Sequence, residues 1–457
     1  MGEETAARLP GPGEAAFWEA SAVRAEMERV FDICNGCRLC YNLCPSFTTL
    51  LDRIDEKGDG DLSALEPSDY DEFVDLCYEC HLCYPKCPYT PPHRYAIDVP
   101  RIVLWARAVR AKEQGVTRQD RFLGDTDRLG RLGSRLAPVV NALNRNPAVR
   151  GLMERQLGVS RQALLPEYRR PFHLWWERHR PDDPPERGGS RPVAEPGENG
   201  RVVLFATCTV EYNEPETGVA AVQVLEHSGV EVRLTPQRCC GMPFLDGGDV
   251  ESARRNAEYN VAQLEPWVRQ GYRVVAPGPT CSYTLKQEVP WLLGTEEARR
   301  VAEATSDLGE YLMELHREGK LATDFRSSPV RVVYHLPCHL KVQNIGYKSR
   351  DLLRLAGAEV TLVERCSGID GTWGLKAQYR DLSMKVARPL LRRVEEEPEA
   401  VVAGDCPLAG LRVREGTGRE LRHPVRLLAE AYGLSGGEPP AGGGRPGTGN
   451  RAAGGGD

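Results

Sequence analysis

The sequence predicts a multidomain α/β protein: a helical, cysteine-dense N-terminal domain followed by two tandem α/β modules with mostly parallel strands. Three observations predict it. The chain has 457 residues, room for two to four domains at about 100–200 residues each. Eight of its fifteen cysteines fall between positions 34 and 87, whereas the other seven are spread from 208 to 406. The C-terminal half also repeats itself: RVVLFATC, VEVRL, RCCG and YRVVAPGPTC recur in order as RVVYHLPC, AEVTL, RCSG and AVVAGDC. Cys338 follows Cys208 by 130 positions, Cys366 follows Cys239 by 127 and Cys406 follows Cys281 by 125. Offsets that constant indicate a duplicated module, and short apolar runs alternating with helical stretches indicate parallel strands.

The elements follow in order. Residues 1–13 are expected to be disordered. They carry no basic segment leading into an apolar one, so no secretory signal is expected, and no run of eighteen apolar residues exists to span a bilayer. The expected location is the cytoplasm, peripheral on the inner face of the membrane. Thiols there bind metal or do redox work more often than they form disulfides. Residues 14–98 form the cysteine-dense domain, entered through a helix over 14–31. A polar stretch around Asp55–Asp61 divides its two cysteine clusters.

CNGCRLCYNLCP (34–45) and CYECHLCYPKCP (77–88) each space their cysteines by two, two and three residues and end in Pro. Three thiolates on one tight loop reach three irons of a cube, and the fourth departs to serve the other cluster. Cys34, Cys37, Cys40 and Cys87 are therefore assigned to one [4Fe-4S] cluster, and Cys77, Cys80, Cys83 and Cys44 to a second. A pair of structural zinc sites would use Cys-x-x-Cys pairs but neither the third cysteine nor the trailing Cys-Pro. The domain reads as a helical bis-[4Fe-4S] ferredoxin type.

Residues 99–180 read as basic helices. Positions 101–180 hold 17 Arg or Lys against 7 Asp or Glu, in a chain whose net charge is -6. Leu129, Leu132, Leu136, Val139, Val140 and Leu143 recur at helical spacing and are expected to form a buried stripe. PFHLWWERHR (171–180) sets Phe172, Leu174, Trp175 and Trp176 beside Arg178 and Arg180, a mixture that interfacial segments use, with a buried helix end or a subunit contact as the competing interpretation. No stacking aromatics interleave with the arginines, so no nucleic acid is expected.

A Pro/Gly/charge-rich linker spans 181–200. The first Cys-Cys-Gly module covers 201–325 and the second, degenerate one 326–433. A Gly/Pro tail, expected to be disordered, covers 434–457. Cys208, Cys281, Cys338 and Cys406 each follow a predicted strand and would meet at the carboxyl edge of a sheet, where such folds bind ligands. Cys208, Cys239, Cys240 and Cys281 are the candidates for a third cluster. The competing reading makes them buried structural thiols. His335 and His339, flanking Cys338, read as core histidines.

Beyond the cysteines, DTDRLG, LAPVVN, LLPEYRR, CTVEYN, RCCGMP, PTCSYTL, VVYHLPCH, GIDGTWGLK and RHPVRLLAEA also resemble the heterodisulfide reductase-related iron–sulfur proteins, over residues 30–433. The resemblance implies a relay subunit. It would dock a flavin-containing dehydrogenase, with glycerol 3-phosphate the expected substrate, and pass electrons toward the quinone pool, meeting quinone or the membrane surface through residues 101–180. It also implies two alternatives: a heterodisulfide reductase working at a Cys-Cys-Gly-bound, non-cubane cluster, or a relay serving an oxidative-stress partner. Three departures weaken the reductase. Ser367 and Ala409 stand where the family has cysteines in the second module, and Thr284 does so in the first. The second module, left with Cys338, Cys366 and Cys406, is expected to have kept its fold and lost its metal.

Overall fold

The computed structural model describes residues 9–180, 199–328 and 331–434. Residues 1–8, nearly all of the 181–200 linker and the tail after Leu434 lie outside the described residues. Residues 9–13, expected to be disordered, are instead packed. Gly11 is buried, Leu9 lies against the core and Trp18 Nε1 donates to Pro12 O at 3.0 Å.

The described residues form a helical domain and two four-stranded sheets. In the first sheet β1 (Arg201–Leu204), β2 (Glu231–Leu234), β3 (Arg273–Ala276) and β4 (Thr305–Asp307) run in the order β2-β1-β3-β4. In the second, β5 (Arg331–His335), β6 (Glu359–Val363), β7 (Val401–Gly404) and β8 (Leu421–Arg422) run β6-β5-β7-β8. Every pairing within the two sheets is parallel. The fold class is thus multidomain α/β, and the duplication read from the cysteine landmarks is a duplication of sheet topology. In each sheet the strand order reverses direction beside the first strand of the module, which opens a crevice beyond the carboxyl ends.

The domains share their cores. Phe31, Leu51 and Phe73 of the helical domain belong to one apolar cluster with Val203, Phe205 and Leu285 of the first module. The last helix, Pro424–Tyr432, packs Val425, Leu428 and Ala429 into the first module's core with Val222 and Leu225. Separating either neighbour would expose these side chains at roughly 25 cal/mol per Å² of apolar surface.

Two expectations about the basic region are corrected. The apolar residues of 129–143 do not form a buried stripe: Leu132 is 53% exposed, Leu136 60%, Val139 56% and Leu143 46%, while Leu129 and Val140 are half-buried. The helix Thr126–Arg135 packs through its glycines instead. A Cβ at Gly130 would stand 2.1 Å from the Tyr212 ring, and one at Gly133 would stand 2.5 Å from Tyr168. Glycine permits this close approach, and the leucines are left outside. The second correction concerns PFHLWWERHR. Phe172 and Trp176 have no exposed surface, and Trp175 stacks between Phe172 (5.6 Å) and His179 (4.8 Å). The helix Phe172–His179 turns Phe172 and Trp176 into the core, the buried-helix-end reading of that segment, and keeps Glu177, Arg178 and His179 outside.

Candidate functional site

Each ferredoxin loop is shaped by a few backbone positions. The helix Ala20–Cys37 carries Cys34 and Cys37 in its last turn and stops at Arg38, whose φ of 54° turns the chain toward Cys40. Arg38 keeps that conformation through a bidentate pair with Asp55 at 2.6 and 2.7 Å. Pro45 opens the next helix, so Cys44 is its N-cap residue and points away from the loop. In the second motif, Glu79 and His81 take positive φ (50° and 59°) between Cys77 and Cys83. For non-glycine residues this costs on the order of 1–3 kcal/mol each, and it persists only where surroundings enforce it. They do so here. Glu79 and His81 are buried, Tyr283 Oη lies 2.8 Å from His81 Nδ1, and Arg107 Nη2 donates to Val74 O at 2.9 Å and to Cys77 O.

The structure brings the cysteines together as two crossed quartets. Cys34, Cys37, Cys40 and Cys87 line one cavity of about 20 Å³, and Cys44, Cys77, Cys80 and Cys83 line another of the same size. Apolar walls enclose both, with Leu51 and Ile97 on the first, Phe73 and Val99 on the second, and Phe47 on each. Burial pushes the Cys34 thiol up to about 12 and Cys40 to about 11. Such thiols become thiolates near neutral pH only when a cation compensates them. The donor sets fit iron–sulfur clusters.

In the first module Cys208 follows β1, Cys239 and Cys240 follow β2, and Cys281 follows β3. Their side chains lie in a row, Cys208 beside Cys239, Cys239 beside Cys240 and Cys240 beside Cys281, so that each perturbs the next. Gly241 (φ 101°) lets the loop run against Ala253, whose Cα would sit 3.3 Å from an added Cβ. Asn260 clamps the same loop, accepting from Arg238 N at 2.8 Å and donating to Arg238 O at 3.1 Å. Sequence reasoning missed Asp127, whose Oδ2 accepts from Cys239 N at 2.8 Å. Its signal was DTDRLG, on the helix that packs by its glycines.

The second module brings Cys338, Cys366 and Cys406 to one cavity of about 60 Å³. Sequence reasoning also missed its fourth polar wall, Asp370. Cys338 Sγ donates to Asp370 Oδ1 at 3.0 Å, and Cys366 Sγ lies 3.9 Å from Oδ2. Burial raises the Asp370 carboxyl to about 6, and burial raises the Cys366 and Cys406 thiols to about 12 each. His335 and His339 are core histidines, as expected. Burial lowers them to about 4 and about 3, so both are neutral. His335 Nε2 donates to Arg365 O at 3.0 Å, and His339 Nε2 donates to Glu79 O at 2.9 Å.

The sites are neighbours. Leu82 of the second ferredoxin loop and Thr280, next to Cys281, both line the cavity that holds Cys338, Cys366 and Cys406. Among the described residues, no three His, Cys, Asp or Glu side chains gather closely enough to hold a single metal ion. No helix among them is long and apolar enough to cross a membrane.

Comparison with known proteins agrees with this architecture. Residues 27–115 match the citrate utilization protein B Fer4-like domain, and residues 202–286 and 332–409 each match the Cysteine-rich domain. The chain is 29% identical to a subunit of the anaerobic glycerol-3-phosphate dehydrogenase of Escherichia coli K12 over 314 residues, covering 68% of this chain and 76% of that protein. It is 28% identical to lactate utilization protein A of Geobacillus thermodenitrificans, covering 45% of this chain and 87% of that one. It is 27% identical to a subunit of the fumarate reductase (CoM/CoB) of Methanothermobacter marburgensis, covering 50% and 44%. The chain is an iron–sulfur electron-transfer protein, built from a Fer4-like domain and two Cysteine-rich domains and similar to that glycerol-3-phosphate dehydrogenase subunit.

Proposed function

We propose that this chain is the electron-transfer subunit of a membrane-associated anaerobic respiratory dehydrogenase. It would take electrons from a flavin-containing partner that oxidises glycerol 3-phosphate and hand them toward the quinone pool. The observation that carries the reading is the pair of crossed cysteine quartets, each walled by apolar side chains. Cys34, Cys37, Cys40 and Cys87 would hold one [4Fe-4S] cluster, and Cys77, Cys80, Cys83 and Cys44 the other. When bound, such clusters take up and release single electrons at potentials set by hydrogen bonds and solvent exposure. The chain supplies both controls: Tyr89 N donates to Cys87 Sγ at 3.4 Å, while Phe47 and Phe73 exclude water.

Attachment to the membrane surface would use the basic region, now through helices Thr126–Arg135 and Ala137–Arg145. Their exposed Leu132, Leu136, Val139 and Leu143 lie beside exposed Arg131, Arg135 and Arg145, an apolar row with cationic flanks that suits anionic lipid.

The disulfide-reductase reading needs an accessible first-module cluster at Cys208, Cys239, Cys240 and Cys281. Cys239, Cys240 and Cys281 are buried, which favours the relay.

The test is anaerobic mixing of the full chain with its flavoprotein partner, followed by glycerol 3-phosphate. The iron–sulfur absorption of this chain should bleach on adding the substrate. A chain that dithionite reduces but substrate and partner do not overturns the glycerol 3-phosphate assignment.

A further inference from the structure

We propose that the second Cysteine-rich module has kept a metal site in altered form, an iron–sulfur cluster held by the thiolates of Cys338, Cys366 and Cys406 and by the carboxylate of Asp370. The proposal rests on the iron–sulfur reading above and extends it to a module whose motif has lost two cysteines, at Ser367 and Ala409.

Four independent features support it. The first is space. The cavity lined by Cys338, Cys366, Cys406 and Asp370 is about 60 Å³, against about 20 Å³ at each ferredoxin quartet by the same measure. The second is donors aimed at sulfur. Gly368 N donates to Cys366 Sγ at 3.2 Å, and Cys406 is the N-cap residue of the helix Pro407–Thr417, whose opening backbone N–H groups favour a negative sulfur there. Such bonds favour the thiolate over the thiol.

The third is the construction of the loop that carries Asp370. Gly368 (φ 66°) and Gly371 (φ 50°) bracket Ile369 and Asp370 in conformations side chains resist, and a Cβ at Gly368 would meet Ser383 O at 2.2 Å. Ser383 Oγ donates to Gly368 O, and Arg412, with no exposed surface, donates to Ser383 Oγ at 2.6 Å and to Gly374 O at 3.3 Å. This scaffold turns the carboxylate inward, where its two oxygens reach two of the three sulfurs. The fourth is a buried imidazole on the same wall. His335 is 3% exposed and its Nδ1 has no hydrogen-bond partner.

Asp370 compensates for the absent thiolate better than Ser367 could. A carboxylate ionises far more readily than a serine hydroxyl, and it is an established ligand for iron. As iron binds, the three thiols and the carboxyl release their protons. Among the described residues no three such donors are arranged to hold a single ion, and three thiolates with one carboxylate are a donor set that suits an iron–sulfur cluster rather than one zinc ion.

The test compares anaerobically purified full-length variants by iron, zinc and acid-labile sulfide content and by EPR, with the ferredoxin signal as the control for folding. Cys338→Ala with Cys406→Ala should lose about four irons per chain and keep the ferredoxin signal. Asp370→Ala should lose about one iron and, oxidised, show a three-iron signal; Asp370→Cys should keep the full iron count with that signal absent. Ser367→Ala should change neither. Unchanged iron in the double-cysteine variant, zinc in place of iron, or an Asp370→Ala spectrum identical to the parent overturns the proposal. A parent chain with about eight irons and only the ferredoxin signal overturns this site alone, whereas a parent without labile sulfide overturns the iron–sulfur reading as a whole.

Discussion

At the scale of single residues, function rests on side chains whose burial sets their charge. The cluster-facing thiols are pushed up by burial and need iron to ionise. The same force acts on a carboxyl within electrostatic reach of Cys406. Glu214, in the first module, is raised by burial to about 7, with Glu216 adding repulsion. A carboxyl whose folded pKa is raised holds its proton more tightly when folded than when unfolded. Its contribution is therefore fully present below the ordinary carboxylate range and is lost as pH rises through about 7. Glu214→Gln should raise thermal stability at pH 8 by roughly 1–3 kcal/mol and change little at pH 5, measured by melting of the anaerobic holoprotein. Equal effects at both pH values would contradict this. The ferredoxin ligand spacing was legible in the sequence because it is local: four cysteines and a proline within twelve residues dictate which thiols share a loop. Asp370 was not, because its value depends on Gly368 and Gly371 turning the loop and on a buried Arg412 from a distant helix.

At the scale of elements, the strands and their parallel order were readable from apolar runs and repeated landmarks. The helices of 126–145 were misread for a physical reason. Helical periodicity identifies an apolar face but not the surface it meets, and here the glycine face won the contact with Tyr168 and Tyr212. The Phe172–His179 helix shows the converse: aromatics beside arginines look the same in sequence whether they meet lipid or the core, and Trp176 proves fully buried. Two predictions separate these elements. Leu136→Asp with Val139→Asp should abolish co-sedimentation with anionic vesicles while leaving the melting temperature within a few degrees, since both side chains are exposed. Trp176→Ala should instead destabilise the fold by roughly 3–5 kcal/mol. Vesicle binding unchanged in the double variant would remove the membrane role from these helices.

At the scale of the whole molecule, the cysteine sets form a continuous series. The ferredoxin quartet of Cys44, Cys77, Cys80 and Cys83 adjoins the second module's cavity through Leu82, and the first module adjoins the same cavity through Thr280, next to Cys281. Shared apolar cores and buried polar ties, such as His339 to Glu79 and Trp373 to Asp75, fix these neighbours relative to one another. A relay benefits from such rigidity because its centres must keep their spacing. The most direct test of the relay is iron and acid-labile sulfide per chain after strictly anaerobic purification, with EPR of the reduced protein. Two neighbouring cubanes predict at least about eight of each and a coupled signal when both are reduced. Bound zinc without labile sulfide would contradict it.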